Sequence, residues 1–154
     1  MFRRWLLLAA ALGAVSPLAA QQVTKKFDYA PVNGVQDLHV ELDKVVVNQI
    51  AFKPGKELGG LVRRSDAGAE VRIDNNGQKD QVVGVAVVVM DGDGNIVAAG
   101  SGGTRFGHLS AGERDTSAVN FPFVFRNMSK AKTFVVTMEL SEHEKAKAPA
   151  TPSH

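Results

Sequence analysis

Residues 81–90 read Gln-Val-Val-Gly-Val-Ala-Val-Val-Val-Met, and the fold class turns on how that run is read. Valine is stiff at χ1 and suits an extended chain better than a helix. One parity carries Val83, Val85, Val87 and Val89; the other carries Val82, Gly84, Ala86, Val88 and Met90. Both are apolar. The run therefore predicts a central strand with neighbours on both edges and cover on both faces.

Working outward, Asp91-Gly92-Asp93-Gly94 is a turn, and residues 95–100 return as the second arm of a hairpin. On the N-terminal side, Ala69, Val71 and Ile73 alternate with Glu70, Arg72 and Asp74. That strand is closed by Asn75-Asn76-Gly77, a turn signal because Asn and Gly tolerate positive φ. Further back, Leu38, Val40 and Leu42 alternate with His39, Glu41 and Asp43, and Val45, Val46, Val47 and Ile50 continue or follow that strand. Residues 53–68 read as a long loop, and residues 21–37 as an irregular lead-in.

On the C-terminal side, Gly102, Gly103 and Gly107 mark a loop that runs to Gly112. Val119, Phe121, Phe123 and Phe125 then share one parity of a strand, with Pro122 pointing to an edge or a bulge. A turn is expected near residues 127–131. Phe134, Val136, Met138 and Leu140 form the apolar parity of the last strand. Residues 142–154 lack apolar anchors and read as a disordered tail. About six or seven short strands without helical periodicity predict an all-β chain, an antiparallel β-sandwich over residues 38–141.

Residues 1–20 are of another kind. Arg3 and Arg4 precede an apolar run from Trp5 to Val15, and Leu18-Ala19-Ala20 follows Ser16-Pro17. This is the layout of a signal peptide cleaved after Ala20, and its apolar run falls short of the ~20 residues that span a bilayer. It predicts a periplasmic or secreted protein with no membrane insertion after the signal is removed. The chain has no cysteine, which excludes disulfides, thiolate metal sites, a cysteine nucleophile and a lipoprotein anchor. Lys and Arg number 18 and Asp and Glu 16, so losing Arg3 and Arg4 leaves a balanced chain. Bulk charge gives no reason to expect a nucleic-acid partner.

Residues 69–140 resemble bacterial FxLYD-type domains. The likeness rests on Val71 and Ile73 before Asn75-Asn76-Gly77, the Val85-Val87-Val89 strand ending in Asp91, Gly94 in the hairpin turn, Leu109-Ser110-Ala111-Gly112-Glu113, and Phe121 beyond it. Val87, Val89 and Met90 stand where that family carries Phe, Leu and Tyr, and Ala111 stands where it carries Pro. The resemblance implies an immunoglobulin-like sandwich in an exported bacterial protein and brings no catalytic residues with it.

The candidate chemistry is thin. A calcium loop opening at Asp91 would need Gly and Glu where Ile96 and Gly102 stand. His39, His108, His143 and His154 show none of the usual zinc spacings, and Met90, Met128 and Met138 read as core or gap-filling residues. No G-x-S-x-G occurs, and Ser101 among its glycines lacks the context of a nucleophile elbow. Catalytic, cofactor-binding and metal residues are therefore each expected to be none. One stretch stands out: residues 100–108, where Arg105, Phe106 and His108 form a candidate partner-binding loop. The reading is a non-enzymatic interaction or accessory module of the cell envelope with a protein partner. A metal or small-ligand carrier and a hydrolase with a loop-assembled site are the alternatives. Sequence does not fix the oligomeric state.

Overall fold

The computed structural model describes residues 20–53, 55, 67–104, 107–124 and 128–142. They form eight strands: β1 (Gln21–Asp28), β2 (Val35–Leu42), β3 (Val45–Lys53), β4 (Gly68–Asn75), β5 (Gln81–Met90), β6 (Ile96–Gly103), β7 (Arg114–Val124) and β8 (Thr133–Glu142). A short 3-10 turn, Met128–Lys130, precedes β8, where the sequence predicts one. The all-β, antiparallel expectation holds. The strands number eight, and one continuous sheet in the order β1-β8-β5-β6-β7-β4-β3-β2 rolls until it is nearly closed as a barrel. Among the described residues no helix is long and apolar enough to cross a membrane.

β5 is central, as its valines predict: it lies between β8 and β6 and is paired along its length with both. Val83, Val85, Val87 and Val89 face the core and are at most 2% exposed. They sit beside Met138, Val136 and Phe134 of β8 and share one core cluster with the inner parities of β3 and β4. Phe27, Tyr29, Phe52 and Phe134 close one end; Phe52 and Phe134 meet edge to face at 5.1 Å, and Phe27 stacks on Phe134 at 5.3 Å. Met128 and Met138 are buried core residues. Among the described residues the expected cover on the second face of β5 is not found: Val82, Ala86, Val88 and Met90 point outward and are half-buried. A rolled sheet fills its inside with one parity and leaves the other to solvent.

Several local readings are corrected. Residues 21–28 are not an irregular lead-in but β1, an edge strand pairing Gln21 with Leu140 through Asp28 with Thr133. The last three residues of that lead-in, 35–37, open β2. β2 and β3 are separate arms of a hairpin turned by Asp43 (φ 44°) and Lys44 (φ 65°), both left-handed without being glycine. The turn after β4 forms, but neither Asn76 nor Gly77 takes a positive φ. It is held instead by the buried Asn75 side chain. The Asn75 Oδ1 accepts from the Gly77 N–H at 2.9 Å, and its Nδ2 donates to the carbonyls of Lys79, Leu109 and Ser110.

Residues 102–103 are not loop: β6 runs through Gly103. Those glycines mark a close approach of backbones rather than a turn. A Cβ on Gly100 would stand 2.0 Å from the Asn120 carbonyl oxygen, and one on Gly102 would stand 2.3 Å from that of Ala118. Pro122 lies on β7 just past the last β4 pair, Gly68 with Asn120, and beside the register shift between Ala99 and Ser101, so the edge-or-bulge signal is met locally. Residues 1–19, most of the 53–68 loop, Phe125 and the tail beyond Glu142 lie outside the described residues.

Candidate functional site

The outward face of the barrel divides in two. Over β2, β3, β4 and the start of β7 it is largely polar, with side-chain pairs on and between the strands. His39 Nε2 lies 3.1 Å from Glu41 Oε2, the Gln49 amide donates to Asp37 at 3.0 Å, and Lys53 pairs with Glu70. Arg114 grips Asp74 through two nitrogens, Nε to Oδ1 and Nη2 to Oδ2, and Asn48 Nδ2 donates to the same carboxylate at 2.6 Å. Exposed pairs of this kind hold a surface in order more than they stabilise it.

The grip changes the acidity of Asp74. The hydrogen bond from Arg114 holds it below the usual carboxylate range, against the upward push of burial, and the charges of Arg114 and Arg72 and the Asn48 hydrogen bond add to the lowering. A depressed folded pKa stabilises the fold above the unfolded carboxylate value of ~3.9, and that contribution is lost as pH falls through the folded one. The urea midpoint of the parent should therefore fall below about pH 4 more steeply than that of Asp74→Asn. Equal acid limbs in the two proteins would remove Asp74 from the account.

On β5 the outward parity is apolar, while on β8 it is mixed, with Thr133, Thr137, Glu139 and Ser141 beside Val135. Val88 is paired with Val135 on one side and Ala99 on the other, giving an aliphatic row across three strands. Ala86 and Met90 flank it on β5, and Ile96, 48% exposed, stands at its end. Where β6 and β7 shift register, the row opens into a shallow depression of about 480 Å³ lined by Val88, Ala99, Gly100, Ser101, Asn120 and Pro122. Gly100 leaves its floor as bare backbone, while Ser101 and Asn120 supply hydroxyl and amide groups. The chemistry on offer is apolar contact with a few polar fixings, which suits a protein side chain or peptide segment.

The candidate loop of residues 100–108 is split by the fold. Gly100 and Ser101 contribute to the depression. Gly102 and Gly103 complete β6. Arg105 and Phe106 lie outside the described residues, and His108 is half-buried beside Leu109, which bridges to Gln81 at the far end of the barrel. His39 is exposed on β2, as its alternation predicts, and His143 and His154 lie outside the described residues. Asp91 is committed to its turn: its Oδ1 accepts from the backbone of Asp93 and Asn95 and from the Asn95 side chain. Among the described residues no group of three or more His, Asp or Glu is placed to hold a metal ion. Ser101 sits in mid-strand, away from any strand-to-helix turn.

No family model matches the chain. No curated protein matches it either. What the chain does has to be read from its own residues and their geometry. The surface that sequence reasoning misses is the one around Val88, Asn120 and Pro122. Its signal is the second apolar parity of residues 81–90, which reads in sequence as a face under a covering layer.

Proposed function

We propose that this chain is an exported, non-enzymatic interaction module of the cell envelope that binds a protein partner through the outward face of β5, β6 and β7. The observation that carries the reading is the aliphatic row Val135–Val88–Ala99, opening into the depression beside Ser101 and Asn120. Apolar side chains left together on the outward parity of β5, beside strands whose outward side chains are largely polar, mark a place where another molecule makes contact. The leader-like residues 1–20 support export, and the FxLYD-type resemblance supports an accessory role in a bacterial envelope. Fully buried side chains from every strand except β1 make up the core, and Val23 and Phe27 of β1 pack against it.

The test has two readouts on one protein. Mass spectrometry of chain recovered from the exported fraction should give an N-terminus at Gln21; retained residues 1–20 would make it an anchored protein instead. A photo-crosslinking amino acid at position 101 should then yield a discrete protein adduct in the native envelope, and the same group at position 70, on the ion-paired half, should not. Adducts of equal yield from both positions, or from neither, would overturn the assignment of this face.

A further inference from the structure

We infer that β1 is an exchangeable strand, and that two copies of this chain trade it to form a two-fold dimer in which each β1 completes the other copy's barrel. Connectivity is the first reason. Among the described strands, β1 is the one whose entire ladder joins the N-terminal and C-terminal strands, from Gln21 with Leu140 to Asp28 with Thr133. Its neighbour in sequence, β2, is not its ladder partner; in the sheet they occupy opposite edges. β2 and β5 cannot leave alone, because a short turn ties each to its hairpin partner. Among the described residues nothing of that kind holds β1 to its ladder partner.

Its other edge is held lightly. Where the barrel nearly closes, β1 and β2 meet through side chains. Lys25 Nζ donates to the His39 carbonyl at 3.0 Å, and Gln36 Nε2 donates to the Asp28 carbonyl at 2.9 Å. The Ala30 N–H donates to Gln36 Oε1 at 3.0 Å. Every other strand contributes at least two buried apolar side chains to the core; β1 contributes none, only the half-buried Val23 and Phe27. Opening β1 therefore withdraws no fully buried side chain from the core.

The connection supplies a hinge and a reason for the second copy. Residues 29–34 contain Pro31 and reverse sharply at Asn33 (φ 52°) and Gly34 (φ 82°), with Val32 and Val35 bonded to each other through their backbones. Extending this reversal carries β1 away from its own β8. A second copy offers an identical β8 edge, so Phe27 regains its stack on Phe134 and Thr24 its hydrogen bond with Thr137. What each barrel gives up it recovers from the other copy, and mass action sets the dimer fraction. Val32 in the hinge and Val35 at the start of β2, 74% and 36% exposed in the single chain, lie where two extended hinges run alongside one another and cover them.

The chain lacks cysteine, which makes the test clean. The Thr24 and Thr137 hydroxyls are 3.0 Å apart across the β1–β8 ladder, so thiols in their place fall within disulfide reach. The chain carrying Thr24→Cys/Thr137→Cys is unfolded, refolded at dilute and at concentrated protein, oxidised and run without reductant. Exchange predicts a band of doubled mass that grows with refolding concentration, contains two disulfides and has no free thiol. Only intrachain disulfides at every concentration would overturn it, as would a dimer with one disulfide and two free thiols. If the double variant fails to fold, light scattering on the unsubstituted chain decides. A dimer formed during concentrated refolding that survives dilution supports exchange; a monomer at every concentration rejects it.

Discussion

A chain carrying Val85→Asp will show no cooperative thermal transition, while Val88→Thr will melt close to the parent. The two positions are three residues apart on one strand and differ only in parity. Val85 is 2% exposed and is paired with Met138, itself fully buried, on one side and Gly102 on the other. The buried Ser117 hydroxyl beside Gly102 is already engaged with the Gly103 carbonyl, and the core cluster around Val85 is otherwise apolar. An unpaired carboxylate there costs several kcal/mol, a large share of the ~5–15 kcal/mol that holds a domain of this size together. Val88 points outward and is half-buried on the aliphatic row. Threonine keeps its shape and β-branching and places a hydroxyl in reach of water, so the change stays within about 1 kcal/mol. Circular dichroism melts of the two variants check this. A cooperative melt for Val83→Asp/Val85→Asp would mean that the inner parity of β5 does not face the core.

That parity is legible in the sequence alone, and so are the strands around it. Ile73, Phe134 and Val136 sit where period two puts them because one face is buried, and a one-residue slip would bring the whole apolar set to water. Where the pattern fails, the cause lies in particular residues. β1 is hidden because Lys25 stands on the same parity as Val23 and Phe27, breaking the apolar alternation. Its side chain reaches the seam and bonds the His39 carbonyl instead of entering the core. The hairpin at Asp43 and Lys44 is hidden because its two left-handed residues are neither Asn nor Gly. Asn75 reads as a turn former through its backbone, yet it acts through its side chain, gathering carbonyls from a segment more than thirty residues away. No local rule can show a partner at that distance. The same limit applies to the candidate site. Val88 is visible as apolar, but that Asn120 and Pro122 stand beside it depends on β7 lying against β6, a fact of topology.

Glycine gives the sharpest contrast between sequence signal and physical role. Gly84→Ala should leave stability unchanged or raise it by about 0.4–1 kcal/mol, whereas Gly100→Ala should lower it by about 3 kcal/mol. Gly84 lies in mid-strand on the outward parity of β5, and an added Cβ would touch nothing closer than the Glu139 Cβ at 4.0 Å. There the substitution mainly narrows the unfolded ensemble, which favours the fold. Gly100 is paired with the inward-facing Val87, at the point where β6 shifts register against β7. Its added Cβ would lie 2.0 Å from the Asn120 carbonyl oxygen and 3.0 Å from the ring of the buried Phe121. The first obstacle is backbone, so no side-chain rotation relieves it. β6 or β7 has to move, and β7 is fixed from its other side by its ladder with β4. Gly102, facing the Ala118 carbonyl at 2.3 Å, repeats the constraint two residues on, so Gly102→Ala should fall with Gly100→Ala and not with Gly84→Ala. Urea denaturation of the three single variants measures the differences directly. A Gly100→Ala protein as stable as the parent would show that β6 and β7 stand further apart than the barrel requires, and the depression lined by Gly100, Ser101 and Asn120 would change shape with them.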